Sequence, residues 1–162
     1  MANTFVISDT HWHHANIIKY CQRPFHTVHE MDEVMIENWN KVVKPEDKVY
    51  HLGDVYFPKK EPSDWLFNRL NGTKVLILGN HDNGKDQSLL RCFKRVYSYR
   101  IMPDFDVILS HIPIHESSMP GRAKLNIHGH THEKGSPKGP YKSACVEFTN
   151  YAPKHIEDFI RG

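Results

Sequence analysis

Five short blocks of this sequence carry side chains able to hold metal ions: Asp9-Thr10-His11, Gly53-Asp54, Gly79-Asn80-His81-Asp82, Ser110-His111 and Gly129-His130-Thr131-His132. Imidazole, amide and carboxylate donors together suit borderline divalent cations. Two such ions side by side need carboxylates to neutralise them and several neutral donors, and one carboxylate can bridge the pair. Asp54 is best placed for that bridge; the other candidate ligands are Asp9, His11, Asn80, His111, His130 and His132. The glycines before Asp54, Asn80 and His130 are expected to turn the backbone sharply, so that the next side chain faces the metal. Each block alone is a weak signal, because Asp-x-His and Gly-Asp are common in solvated turns. Their joint occurrence, each at the end of an apolar run, is what carries the reading.

Those runs are the elements that must position the blocks. Thr4–Ser8, Asp47–Leu52 and Lys74–Leu78 read as buried strands, short and rich in β-branched residues. Met31–Val43 has apolar residues at helical spacing and is the clearest amphipathic helix. Ala15–Cys21, Pro62–Leu70 and Asp86–Phe93 read as further helices. After residue 95 the pattern changes to strands: Val96–Met102, Phe105–Ser110, Lys124–His128 and Lys142–Phe148, with a terminal helix over Pro153–Arg161. Strands alternating with helices, followed by mostly strands, predict a layered α/β domain spanning 1–162. In such sheets ligands gather beyond the carboxyl ends of the strands. Five strand-end loops are therefore expected to meet in one crevice.

Composition excludes several function classes. With 39% apolar and 25% charged residues the chain is neither disordered nor membrane-spanning. A net charge of +2 offers no broad basic face, so stable nucleic-acid binding is not expected. The three cysteines, Cys21, Cys92 and Cys145, form no disulfide framework and suit reduced thiols. The N-terminus has no signal-peptide pattern, and the expected location is cytoplasmic.

The order of the five blocks resembles the calcineurin-like metallophosphoesterase superfamily, which shows D-x-H, G-D, G-N-H-D/E, a lone His and G-H-x-H. The match runs from Asp9 to His132. The resemblance implies a four-layer α/β/β/α sandwich with two divalent metal ions at the sheet edge. One ion would be held by Asp9, His11, Asp54 and His132, the other by Asp54, Asn80, His111 and His130. Mn²⁺ is favoured, with Fe²⁺, Zn²⁺, Ni²⁺, Co²⁺ or Mg²⁺ as alternatives. A hydroxide bridging the ions would attack phosphorus in line. His81 would serve the leaving oxygen as acid or charge stabiliser, and Asp82 would orient His81. Gly53-Asp54 is followed by Val55-Tyr56-Phe57, without the arginine of the protein-phosphatase branch. The implied activity is hydrolysis of a phosphodiester in a nucleotide, cyclic nucleotide or nucleic-acid end. A phosphomonoesterase and a non-catalytic scaffold of the same fold are the alternatives.

Other residues carry weaker expectations. His14 and Arg23 are candidates to contact the phosphate, Arg23 through its planar fork. His51 and His128 are expected to support the ligands from behind. Trp12 is either a packing residue or a candidate to stack on a base, and His13 is either a pocket residue or part of a solvated loop.

Overall fold

The computed structural model describes residues 2–57 and 64–162. The helix start expected at Pro62 lies outside the described residues. The first half alternates β1 (Thr4–Ile7), α1 (Ala15–Tyr20), α2 (Val28–Val42), β2 (Lys48–His51), α3 (Asp64–Asn68), β3 (Thr73–Ile77), α4 (Gln87–Cys92) and β4 (Arg95–Tyr97). The second half contains β5 (Tyr99–Met102), β6 (Val107–Ser110), β7 (Leu125–His128), β8 (Tyr141–Ser143), β9 (Lys154–His155) and α5 (Ile156–Arg161).

The strands form two mixed sheets, so the chain is α/β. The first has the order β4-β3-β2-β1-β9, with only β9 antiparallel; the second is β5-β6-β7-β8, with only β5 antiparallel. Alternation along each strand divides the core. Phe5, Ile7, Val49 and Leu76 face helices, packing with Ile17, Met35, Trp39, Phe67 and Leu89. Val6, Tyr50, Val75 and Ile77 face the other sheet and meet Val107, Leu109 and Ile127. Ile156 and Phe159 of α5 close the end of that inter-sheet core. On the far face of the second sheet, Asn126 accepts from Ile114 N–H (2.8 Å) and Tyr141 donates to the Ile114 carbonyl (2.6 Å). The segment laid there contains a 3-10 turn, Glu116–Ser118.

Three expected elements differ. Val96–Met102 is two strands: at Ser98 the chain leaves the first sheet and enters the second. Lys142–Phe148 stops as a strand at Ser143 and turns into a 3-10 helix, Val146–Phe148. The terminal helix begins only at Ile156, because Lys154 and His155 pair antiparallel with Val6 and Phe5. Helix α2 starts before its apolar stripe, where Thr27 caps it by accepting from Glu30 N–H (3.1 Å). No helix among the described residues is long and apolar enough to cross a membrane.

Candidate metal centre

The loops after β1 and β2 run on side by side beyond their strands. Asp9, His11 and Trp12 N–H groups donate to the carbonyls of Gly53, Asp54 and Val55 at 3.0, 3.2 and 2.9 Å. The loop after β7 joins them when His130 N–H donates to Asp9 Oδ2 (2.9 Å) and Gly129 N–H to the His111 carbonyl (2.8 Å). The loops after β1, β2, β6 and β7 therefore meet where the carboxyl ends of the two sheets adjoin, and the loop after β3 packs there through Gly79 against Gly53. The approach is tight. A Cβ on Gly53 would lie 2.6 Å from Gly79 Cα, and one on Gly129 would strike Ser8 and Asp9. Only Gly53 of the three block glycines adopts a left-handed φ (+101°). Gly79 and Gly129 are needed for close backbone approach rather than for the turn expected of them. The turning falls on the ligands instead: Asp9, His11, Asp54, His130 and His132 all have φ between +46° and +72°. Such backbone is costly outside glycine and is held only where the surroundings over-determine it.

Two groups form around Asp54. In the first, Asp9, His11 and His132 bring ligand atoms within 4.8 Å of one another. Asp9 Oδ2 is occupied by Ser8 Oγ (2.5 Å) and His130 N–H, while Oδ1 has no hydrogen-bond partner among the described residues. Oδ1 lies 3.4 Å from His132 Nε2 and 3.9 Å from His11 Nε2. Both ring nitrogens of His11 are also buried without a partner among the described residues. In the second group Asp54, His111 and His130 cluster in the same way. Asn80 Oδ1 lies 2.8 Å from His111 Nε2 and 3.0 Å from His130 Nδ1. His111 Nδ1 donates to the Leu52 carbonyl (2.7 Å), which leaves Nε2 to face the group. Asp54 Oδ2 stands between the groups, 3.4 Å from His111 Nε2 and 3.9 Å from His11 Nε2. Asp54 is thus the carboxylate within reach of both groups.

The electrostatics follow from burial and these neighbours. Burial pushes the Asp9 carboxyl above its usual range. Burial, then the Arg23 charge, holds His11 down at about 2, so its imidazole is neutral and able to ligate. Burial opposes ionisation of Asp54, but the His111 contact and charge outweigh it and hold the carboxyl at about 2. Burial also opposes the charged form of His132, yet the adjoining Cys21 and Glu147 and the Asp9 charge push it up to about 10. At 3.6 Å the Glu147–His132 pair acts through charge rather than a formed hydrogen bond. Buried polar atoms without partners are rare and call for an occupant. Asp9 Oδ1 and the His11 ring, with one carboxylate shared between two imidazole groups, fit a pair of divalent ions.

Two expected roles are corrected. Arg23 does not reach out towards a phosphate. It is 4% exposed, donates to the Asp9 and Thr10 carbonyls (2.7 and 2.8 Å) and pairs with Glu147 (2.8 Å). Its fork staples the first metal loop from behind. Asp82 does not orient His81. Its carboxylate accepts from the N–H groups of Asp54, Gly79 and Val55 (2.8, 2.8 and 3.0 Å) and ties two site loops together. His81 is fixed through its backbone, which donates to Asp54 Oδ1 (2.9 Å), and its ring lies 4.5 Å from that of Phe57. The same Phe57 ring lies 4.3 Å from that of His14, which is half-buried.

Other side chains settle into support. His51 meets Thr10 Oγ1 (2.9 Å) and accepts from Gly53 N–H (3.1 Å), as expected of a residue behind the ligands. His128 is buried in contact with Ser136 Oγ (2.8 Å). Trp12 is core, and His13 is anchored to the buried carboxylate of Asp32. Sequence reasoning missed Ser8, Asp32 and Glu147. None stands in a ligand block, and Glu147 sits in a stretch that reads as a strand; the one available signal was a lone acid on an apolar run.

No family model matches the chain. It is 36% identical to the uncharacterized protein MJ1445 of Methanocaldococcus jannaschii, across 99% of this chain and 91% of that one. It is 30% identical to the gene 66 protein of Mycobacterium phage L5, over 82% of this chain and 78% of that one. The gene 66 protein of Mycobacterium phage D29 matches at the same identity over 83% and 80%. A solved structure is similar throughout: the protein of unknown function AQ665 from Aquifex aeolicus, with a TM-score of 0.78 and 31% identity over 99% of both chains.

Proposed function

We propose that this chain, which belongs to the family of the MJ1445 protein and the phage gene 66 proteins, is a metal-dependent phosphoesterase that hydrolyses a phosphodiester. The observation that carries the reading is the pair of ligand groups sharing Asp54, with buried, unpartnered donor atoms on Asp9 and His11. Asp9, His11, Asp54 and His132 would hold one divalent ion, and Asp54, Asn80, His111 and His130 the other. Such a pair, when bound, supplies Lewis-acid polarisation of a phosphoryl oxygen and activation of water near neutral pH. The rest of the chemistry falls to the chain. Asp54 and Asp9 neutralise the cations, and neutral His11 ligates without first losing a proton. His81, half-buried and packed on Phe57, is the group free to donate a proton to a leaving oxygen or to neutralise its charge. His14 packs on the same Phe57 ring, where an imidazole can meet the substrate. The two facing sheets and the helical layer agree with the first three layers of the four-layer sandwich, whose last layer would be the 112–119 segment. A nucleotide-like diester is the proposed substrate class, and Mn²⁺ the metal first tried.

The test is hydrolysis of bis-p-nitrophenyl phosphate by chelator-treated protein, before and after adding Mn²⁺. Activity that appears only with metal supports the proposal. Hydrolysis of p-nitrophenyl phosphate alone moves the assignment to a phosphomonoesterase. Inertness towards both, with two ions bound, contradicts catalysis and favours a scaffold.

A further inference from the structure

His132 has two ring nitrogens and two different surroundings. Its Nε2 faces Asp9, in the first ligand group. Its Nδ1 faces the opposite way, 3.6 Å from Glu147 Oε1, and both of these atoms are buried without a hydrogen-bond partner among the described residues. The Glu147 side chain is only 7% exposed. Arg23 engages its other oxygen at 2.8 Å, so Oε1 is held pointing at His132 rather than free to swing away. The third member is Cys21, at the end of α1, a reduced and buried thiol. Donor atoms of Cys21, His132 and Glu147 all lie within 4.8 Å of one another. A cleft of about 370 Å³, lined by Cys21 and by residues 130–134, opens the cluster to solvent.

We propose that Cys21, His132 and Glu147 form a third cation site, selective for a soft divalent ion such as zinc or cadmium, with His132 as a ligand shared with the first group. The donor chemistry sets the selectivity. A thiolate, an imidazole and a carboxylate are a tetrahedral zinc set, and three protein ligands leave one position open to the cleft. Manganese and magnesium prefer oxygen and avoid thiolate. The proposed catalytic groups contain no sulfur ligand, so the two kinds of site sort ions by softness. On binding, the Cys21 thiol and the Nδ1 nitrogen each give up a proton to solvent. With both ring nitrogens engaged, His132 would be an imidazolate shared by two cations, whose mutual repulsion would weaken the hold on each. Zinc at this site therefore lowers manganese occupancy at the first group. That consequence rests on His132 serving the first metal ion; the site itself does not.

The test uses the full chain equilibrated with Mn²⁺ and titrated with Cd²⁺, read by the ultraviolet charge-transfer band from thiolate to cadmium, with bound manganese counted separately. The wild type is expected to develop the band at one equivalent of Cd²⁺. Cys21→Ser should lose it and Cys145→Ser should keep it, which separates Cys21 from the buried thiol beside Asp9. Glu147→Gln, which retains every thiol, should shift the midpoint about tenfold or more towards weaker binding. No band in the wild type, a band that survives Cys21→Ser, or an unmoved midpoint in Glu147→Gln overturns the site. A chain that shows the band but takes up no manganese keeps this site and loses the two-metal reading instead.

Discussion

The two ligand groups differ in how they stand without an ion. In the first, Asp9 and His11 are buried, and Asp9 Oδ1 and both His11 ring nitrogens have no hydrogen-bond partner among the described residues. In the second, Asn80 and His130 are exposed, and Asn80 Oδ1 already lies within hydrogen-bond distance of both His111 and His130. Leaving a buried donor or acceptor unpaired costs roughly 1–3 kcal/mol each, whereas exposed or mutually paired groups lose little. If the two groups hold ions as proposed, one in the first group would relieve that cost, whereas the second loses little without one. The proposed pair would then divide into a tighter ion and a more exchangeable one beside it.

Asp54 lies within reach of both groups, so its removal is expected to have the largest effect. Asp54→Ala should lose both ions and all metal-dependent turnover, measured as manganese retained after gel filtration; a variant still holding two ions breaks the comparison outright. His81 belongs to neither group. His81→Ala should keep both ions and lose ~10²–10⁴-fold in turnover, the range for a missing acid or base. Arg23 supports only the first group. Arg23→Ala strands buried Glu147 and should cost about 3–5 kcal/mol in urea unfolding. Its manganese loss should fall on the tighter ion.

A smaller effect separates the groups directly. Manganese at about 100 times its dissociation constant should stabilise the chain by roughly 2.7 kcal/mol. Asn80→Ala should keep most of that gain and Asp9→Asn should lose it, as read by melting with and without chelator. The smallest effect is a pH slope. In the metal-free chain His132 is held protonated up to about pH 10. Its folded value lies above the unfolded one, so the stability it lends is complete below about pH 6.5 and is lost as pH rises through 10. Metal must displace that proton, so manganese affinity at the first group should fall by up to about tenfold per unit as pH is lowered from 8.5 to 6.5. A flat profile would mean that His132 is not a ligand.

Much of the site could be read from sequence because its parts lie at strand ends. β1, β2 and β3 are short strand-like runs, and Asp9, Asp54 and Asn80 follow within three residues of their ends, so local pattern and final position coincide. The same logic found His111 and His130 after β6 and β7. It failed where a residue's partner is distant along the chain. Arg23 reads as a phosphate fork until Glu147, 124 residues away, claims it. Asp82 reads as the partner of its neighbour His81, but backbone N–H groups at 54, 55 and 79 reach it first. Val96–Met102 reads as a single strand-like stretch, and nothing local marks Ser98 as the crossing between sheets. Alternation reveals which face of a strand is buried, but not which sheet the strand joins.

The central claim is that two ions sit in two groups joined by Asp54, and anomalous diffraction from crystals soaked in Mn²⁺ tests it most directly. The account predicts two manganese peaks, the stronger among Asp9, His11, Asp54 and His132 and the weaker among Asp54, Asn80, His111 and His130. A single peak, or peaks away from Asp54, would contradict it.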